Sequence, residues 1–296
     1  MSLYSTYDQV GLKEDVSDII TDISPTDTPF FTMVKSDKVN ARVFSWQEDS
    51  LASSADNKAI EGADASMATL SATTLRTNNT QILTKAFQVS ATADAVATYG
   101  RAKETSYQLG KALKEIKRDL EHAYVGQSNV AVTGNDSSTA REMASADQQI
   151  STTVDAGSNS TDALTEAKLL TLGQNCFENG SDPSVFMIKP ADSTIVAGFT
   201  GASGRYRNFN DDNRTLVNVV DLYVSPFGTY KIVLNRHQLS TLGFLVDPAM
   251  FRSCVLRPFS RTLLAKSGDS DKHYVVGEYS LKHMNFADSG MITGLS

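Results

Sequence analysis

Residues 101–126, Arg-Ala-Lys-Glu-Thr-Ser-Tyr-Gln-Leu-Gly-Lys-Ala-Leu-Lys-Glu-Ile-Lys-Arg-Asp-Leu-Glu-His-Ala-Tyr-Val-Gly, carry the strongest helical pattern in the chain. Leu109, Leu113, Ile116, Leu120 and Tyr124 recur at i, i+4, i+7, i+11 and i+15 and so share one face. The other faces hold Lys103, Lys111, Lys114, Glu115, Lys117, Arg118, Asp119 and Glu121, with Glu115/Arg118 and Lys117/Glu121 spaced for weak pairing. Gly126 is a stop signal. At about 1.5 Å per residue the helix is on the order of 40 Å long, the length of a whole domain.

On its N-terminal side the pattern changes to strands. From Asn40 to Ser50, Arg42, Phe44, Trp46 and Glu48 alternate with Val43, Ser45, Gln47 and Asp49, and a second strand pattern covers Gln81 to Ser90. Between them, 51–77 is too polar for a core and too long for an ordinary loop. The simplest object is a two-stranded protrusion with a soft tip, marginal in water unless something supports it. Further upstream, Val16, Ile19, Ile20 and Ile23 mark a short amphipathic helix. The run Ile23-Ser24-Pro25-Thr26-Asp27-Thr28-Pro29 ends it and leads into Phe30, Phe31, Met33 and Val34. Such an arm could fold back onto its own core or onto a neighbouring subunit.

On the C-terminal side, 127–161 is rich in Ser, Thr, Asn and Asp and reads as loop or a weakly structured insertion. A helix from about Ala163 to Asn179 carries Leu164, Ala167, Leu170, Leu172 and Phe177, with Asp162 as N-cap and Gly180 as terminator. The strand 185–188 follows, then a helix from Pro190 to about Phe199, together one compact α/β unit. The remainder is strand. Leu216–Val224 and Thr229–Leu234 flank the turn Ser225-Pro226-Phe227-Gly228, and Phe244-Leu245-Val246 stops at Asp247-Pro248. Cys254–Ala265 and Tyr274–Phe286 flank a polar tip at 266–271, and 291–293 makes a last short strand. The class is α+β.

The composition excludes several functions. The 296 residues suggest two domains, and with Lys+Arg 27 against Asp+Glu 34 the formal charge is −7. Gripping nucleic acid by phosphate neutralisation needs the opposite excess. Cys176 and Cys254 are too few and too far apart for a zinc site or a disulfide framework, which fits a reducing cytoplasm. No stretch reaches the roughly 18 apolar residues of a spanning helix, and the first residues do not read as a secretory signal, so no membrane association is expected. The Ser and Thr excess falls largely in 51–77 and 127–161, segments that order poorly without a partner.

Signs of catalysis are sparse. No phosphate loop, HExxH, GxSxG or GxGxxG is present, and Gly201-Ala202-Ser203-Gly204 lacks the elbow spacing. His122, His237, His273 and His283 are scattered and read as solvent-facing or structural. Asp211-Asp212, among Asn208, Asn210 and Asn213, reads as a polar loop more than a cation site. With acids interleaved, the lysine-rich helix face reads as solvated or subunit-facing, and Cys176 as a small core residue. No catalytic residue, metal or cofactor is expected.

The pieces run in a characteristic order: arm, protruding hairpin, long helix, α/β unit, second projecting hairpin. That order resembles the major capsid proteins of tailed bacteriophages with the Hong Kong 97-type coat fold. The resemblance is specific at Ile23-Ser24-Pro25-Thr26-Asp27-Thr28-Pro29-Phe30-Phe31 and at Gly110–Glu121. It continues at Asp247-Pro248, Leu256-Arg257-Pro258-Phe259, Leu264-Ala265-Lys266-Ser267-Gly268-Asp269 and Val276-Gly277-Glu278-Tyr279-Ser280-Leu281. These match the subfamily with an "ISPT-TPF" arm and cover essentially the whole chain.

The resemblance implies an N-terminal arm at 1–38, an extended loop over the adjacent subunit at 39–88, and a peripheral domain with its spine helix at 89–126. It further implies an axial domain at 127–245, a peripheral return and hairpin at 246–286, and a C-terminal strand at 287–296. It implies a coat protein assembling as hexamers and pentamers into an icosahedral head around double-stranded DNA, in the cytoplasm of a host bacterium. Because the arm starts near Met1, a separate scaffolding protein is expected, alongside a portal and a possible decoration protein. An encapsulin-like nanocompartment shell, which shares the fold, is the alternative. Candidate intersubunit contacts are Phe30 and Phe31 on the arm, Trp46 at the loop base, Lys58 in the loop tip, and Arg257, Lys266 and Asp269 on the late hairpin. Each has an ordinary core or surface role as its alternative. Some relatives weld subunits by a Lys–Asn isopeptide bond; Lys58 and Asn285 are the residues available, but no buried glutamate is evident to catalyse it.

Overall fold

The computed structural model describes residues 26–62, 64, 67, 69–96, 103–157, 162–199, 222–266 and 268–296. The amphipathic run at 16–23, Gly201–Gly204, Asp211-Asp212 and the expected strand residues 216–221 lie outside them.

The first sheet begins with β1 (Lys35–Lys38), after the short helix α1 (Pro29–Met33). The pair β2 (Val43–Glu48) and β3 (Thr74–Asn79) stands apart as a two-stranded ribbon, and β4 (Gln81–Ser90) leads through α2 (Ala91–Ala95) towards the long helix α3 (Glu104–Glu121). One π-helical turn, His122–Gly126, ends that helix. The second sheet uses β5 (Thr152–Asp155), α4 (Glu166–Glu178), β6 (Val185–Ile188), α5 (Ser193–Ala197), β7 (Leu222–Ser225), β8 (Gly228–Leu234) and β9 (Gly243–Val246). The chain then returns through β10 (Phe251–Leu263) and β11 (Ser270–His283) and ends on β12 (Gly290–Thr293).

The first sheet has the order β1-β10-β11-β4, with β1 parallel to β10 and the other pairs antiparallel. Helix α3 lies across it. Ile116 and Leu120 on α3, and Tyr124 just after it, pack with Phe30, Leu83, Phe251, Val275 and Leu281. Tyr124 Oη lies 2.7 Å from Ser253 Oγ and donates to the Ser280 carbonyl, which fastens the end of α3 to β10 and β11. The buried stripe differs from the expected one at Leu113, which is exposed, while the smaller Ala112 is buried. The observed spacing Ala112, Ile116, Leu120, Tyr124 is a straight i+4 ridge.

The second sheet has the order β5-β12-β9-β6-β8-β7. Its central strands are buried on both faces, and alternation assigns each face to a different core. Val185 and Met187 of β6 join the core under α3, whereas Phe186 and Ile188 join Leu169, Leu172 and Cys176 of α4. β9 divides in the same way, with Phe244 and Val246 on one side and Leu245 on the other. The two cores therefore share a wall. Helix α4 starts later than expected: Thr165, not Asp162, is its N-cap, its Oγ1 accepting from the Lys168 amide, and Gly180 closes it at φ +83°. Phe177 is exposed, where the periodicity placed it among apolar positions.

The protrusion differs in its second strand. β2 pairs with β3, whereas β4, the expected partner, is a full member of the first sheet opposite β11. The six residues of β3, Thr-Leu-Arg-Thr-Asn-Asn, are polar except for the exposed Leu75 and carry no alternation to read.

Candidate functional site

The protrusion is rooted in a buried polar cluster. Glu278 of β11 sits opposite the junction of β3 and β4, where Asn78, Asn79 and Thr80 are all buried. Its carboxylate accepts from Thr80 Oγ1 at 2.7 Å, from Arg257 Nε at 3.0 Å and from the Arg141 guanidinium, which also donates to the Thr80 carbonyl. Asn78 bridges in the same place: its amide donates to the Leu281 carbonyl at 2.6 Å and its Oδ1 accepts from the Ala144 amide at 2.8 Å. A buried charge is tolerated only with such partners. The aromatic side of the root is Trp46, close to Phe44 and Phe286, with Arg76 over the Phe286 ring at 4.4 Å and bonded to Glu48.

Beyond the root the chemistry reverses. From Leu51 to Ala72 the described residues are exposed and in no strand or helix. Leu51, Ile60, Met67 and Leu70 are 98%, 83%, 91% and 92% exposed. These four large apolar side chains are therefore left uncovered by their own subunit.

Besides the β1–β10 pairing and the packing of Phe30, one carboxylate fastens the arm. Pro29 opens α1 and has no N–H; the next two free amides, Phe30 and Phe31, donate to Glu121 Oε1 and Oε2 at 2.9 and 2.8 Å. The Asn235 amide, just after β8, adds a third bond at 2.7 Å. Glu121 thus joins the arm, the end of α3 and the second sheet. Burial pushes its pKa up against the pull of these donors and of Lys117.

The expected contact residues fall into two groups. Phe30 packs edge-on against Tyr124 and Phe251, and Trp46 is buried at the root, so both rings are spent inside their own chain. Phe31 is half-buried beneath Lys117 Nζ, 5.5 Å from its ring centre. Lys58 is exposed and pairs locally with Asp56 at 2.5 Å. Arg257 is half-exposed on Glu278; Lys266 pairs with Asp271 at 2.8 Å, and Asp269 is exposed, its carbonyl accepting from the Ala91 amide. Asn285 Oδ1 accepts from the Ala287 amide. The sequence reading missed Glu121 and Glu278: both glutamates are buried, and both are engaged in the bonds above. A charged residue inside an alternating or heptad-like pattern looks like surface, and no sequence signal distinguishes these two.

The titratable groups serve packing. His283 is fully buried, stacked on Phe251 with ring centres 4.1 Å apart, and its Nδ1 lies 2.7 Å from the Gln149 carbonyl; burial pushes its pKa down to about 4. His273 is buried against Phe87, and burial lowers its pKa too. The thiols of Cys176 and Cys254 are buried and pushed up to about 12, the opposite of what a nucleophile needs. No cluster of three metal-ligating side chains occurs among the described residues.

Comparison with known proteins agrees with this geometry. The family model described as SU10 major capsid protein matches residues 3–296. The major capsid protein of Escherichia phage Phieco32 is 32% identical, over 98% of this chain and 96% of that protein. Among solved structures, the capsid of a native GTA particle has a TM-score of 0.69 at 12% identity, covering 100% of both chains. The holo-SrpI encapsulin complex from Synechococcus elongatus PCC 7942 has a TM-score of 0.60 at 9% identity, covering 100% of this chain and 97% of that one. At such identities the likeness is one of fold, the Hong Kong 97-type coat fold.

Proposed function

The chain belongs to the SU10 major capsid protein family and is a phage major capsid protein; on that premise we propose that it assembles as hexamers and pentamers into the icosahedral head of a tailed phage, around double-stranded DNA. The observation that carries this reading is the exposed apolar set Leu51, Ile60, Met67 and Leu70 on a firmly rooted ribbon. Covering one such side chain stabilises a contact by about 1.5–3 kcal/mol. Ordering of the loop offsets part of this, so each contact is modest and the shell draws its strength from repetition.

In this reading the first sheet with α3 forms the peripheral part of the subunit, and the second sheet the axial part near the capsomer centre. The ribbon and its tip reach a neighbour. Assembly takes place in the host bacterial cytoplasm with a separate scaffolding protein and a portal, and a decoration protein can be added outside. The excess of acids suits a wall that encloses DNA without gripping it. A protein-filled compartment of encapsulin type uses the same fold, but the 32% identical relative is a phage coat protein.

Electron microscopy of the purified chain, alone and co-expressed with its scaffold, tests the reading. Rings or closed shells of uniform curvature are expected, and nuclease-protected DNA in particles from infected cells. A protein that stays monomeric under both conditions would contradict it.

A further inference from the structure

The described part of the arm begins at Thr26, beside a cleft of about 240 Å³ lined by Asp27, Pro29, Pro190, Leu234 and Arg236. Three of these five side chains are apolar. Leu234 ends β8 and continues the row of Tyr230 and Ile232, which pack in the second core, yet it is itself 48% exposed. Nothing in its own sheet covers it.

Cations gather around the same cleft. Burial together with the nearby Arg118, His122 and Arg236 lowers the pKa of His237, whose ring is hydrogen-bonded to the Asp27 backbone. Arg118 and Arg236 have no ion-pair partner among the described residues. Glu121, on the last turn of α3, does not serve them, because its oxygens are taken by Phe30, Phe31 and Asn235. Two buried polar atoms, Thr28 Oγ1 on the arm and His237 Nε2 beside it, also lack a hydrogen-bond partner among the described residues. The cleft is thus apolar in its walls and positive around its rim.

We propose that this cleft is the seat of residues 16–23 of the same chain, with Ile20 and Ile23 against Leu234 and Pro190 and with Asp18 and Asp22 towards Arg236 and Arg118. The segment has the complementary character. From 13 to 23 it carries Glu14, Asp15, Asp18 and Asp22 against Lys13 alone, and Val16, Ile19, Ile20 and Ile23 share one face of the helical pattern. The tether selects the chain's own segment over that of a second copy. Ile23 lies four residues before Asp27, a reach of at most about 14 Å. So short a tether holds the segment at an effective concentration on the order of millimolar, which a second copy would have to exceed. The apolar face of the arm is then covered within the subunit, before any assembly, and the inference stands apart from the shell reading.

A disulfide tests the seat on the full chain at a concentration where it is monomeric. Cys176 and Cys254 are buried and stay reduced, so Ile20→Cys combined with Leu234→Cys reports alone. Oxidation is expected to give an intramolecular bond, seen as a monomer that migrates faster without reductant. Disulfide-linked dimers overturn the proposal and assign the cleft to a second copy, and a pair that stays reduced overturns it as well. Proteolysis gives a second measurement without an engineered bond. Trypsin should cut after Lys13 about tenfold faster in Leu234→Ser than in the native chain, with melting unchanged because Leu234 is half-exposed. Ile20→Ser should act alike, and the double variant should be cut no faster than either single one, since both remove the same contact. Equal rates in native and variant chains, or factors that multiply in the double variant, overturn the seat.

Discussion

The root of the ribbon and its tip, separated by only a few residues, are built on opposite rules. At the root, charges and amides are buried and satisfied: Glu278 with Arg141, Arg257 and Thr80, and Asn78 with Leu281 and Ala144. At the tip, apolar side chains stand in water and the backbone is in no ladder. A self-contained monomer would do the reverse. In the proposed shell the chain's own folding ends at the root, which fixes the direction of the ribbon, and the tip is left for a neighbour.

The comparison breaks most visibly at Glu278. Glu278→Ala leaves Arg141 and Thr80 without their acceptor in a buried setting, and about 3 kcal/mol of stability should be lost. For a chain of this size that is roughly a 6 °C fall in melting temperature, read by scanning calorimetry on the unassembled subunit. A variant that melts with the native chain would show that the root is not held by charge.

A similar effect comes from pH at His283, which packs under the root beside Phe251 and Phe286. Its folded pKa of about 4 lies below the ordinary value of 6.5, so the unfolded chain takes the proton first. The stabilisation is whole above pH 6.5 and is lost as pH falls towards 4, by about 3 kcal/mol in all. His283→Gln should flatten the melting curve against pH across that window. Parallel curves for variant and native protein would refute the assignment.

At the tip, replacing Leu51, Ile60, Met67 and Leu70 together by Ser should change subunit melting by no more than about 0.5 kcal/mol. Light scattering should nevertheless show that assembly is lost. The smallest effect belongs to the exposed Lys58–Asp56 pair: Lys58→Ala should alter stability by a few tenths of a kcal/mol at most. A large effect on melting from either tip variant would mean that the tip folds on its own subunit.

Much of the fold was legible because long apolar periodicity survives in sequence. Helix α3, the β10–β11 hairpin and the terminator Gly180 all lie where pattern and turn chemistry put them. Leu113 misled because size was read as burial, while the buried ridge runs through the smaller Ala112. β3 was hidden because its polar residues carry no alternation, and the stronger pattern at Gln81–Ser90 took its place. Among the site residues, Trp46 was legible as the base of the protrusion, but its ring faces its own core. Glu121 and Glu278 were illegible for a physical reason: what makes a buried carboxylate tolerable is a set of donors that, apart from Arg257 at 21 residues from Glu278, lie 90 to 200 residues distant.

Hydrogen exchange measured on unassembled subunits and on complete shells tests the division between root and tip most directly. The account predicts that amides of 74–90 exchange slowly in both states, whereas those of 51–62 and 69–72 exchange within seconds in the subunit and become protected in the shell. Tip amides that are already protected in the subunit, or that remain unprotected in the shell, would contradict it.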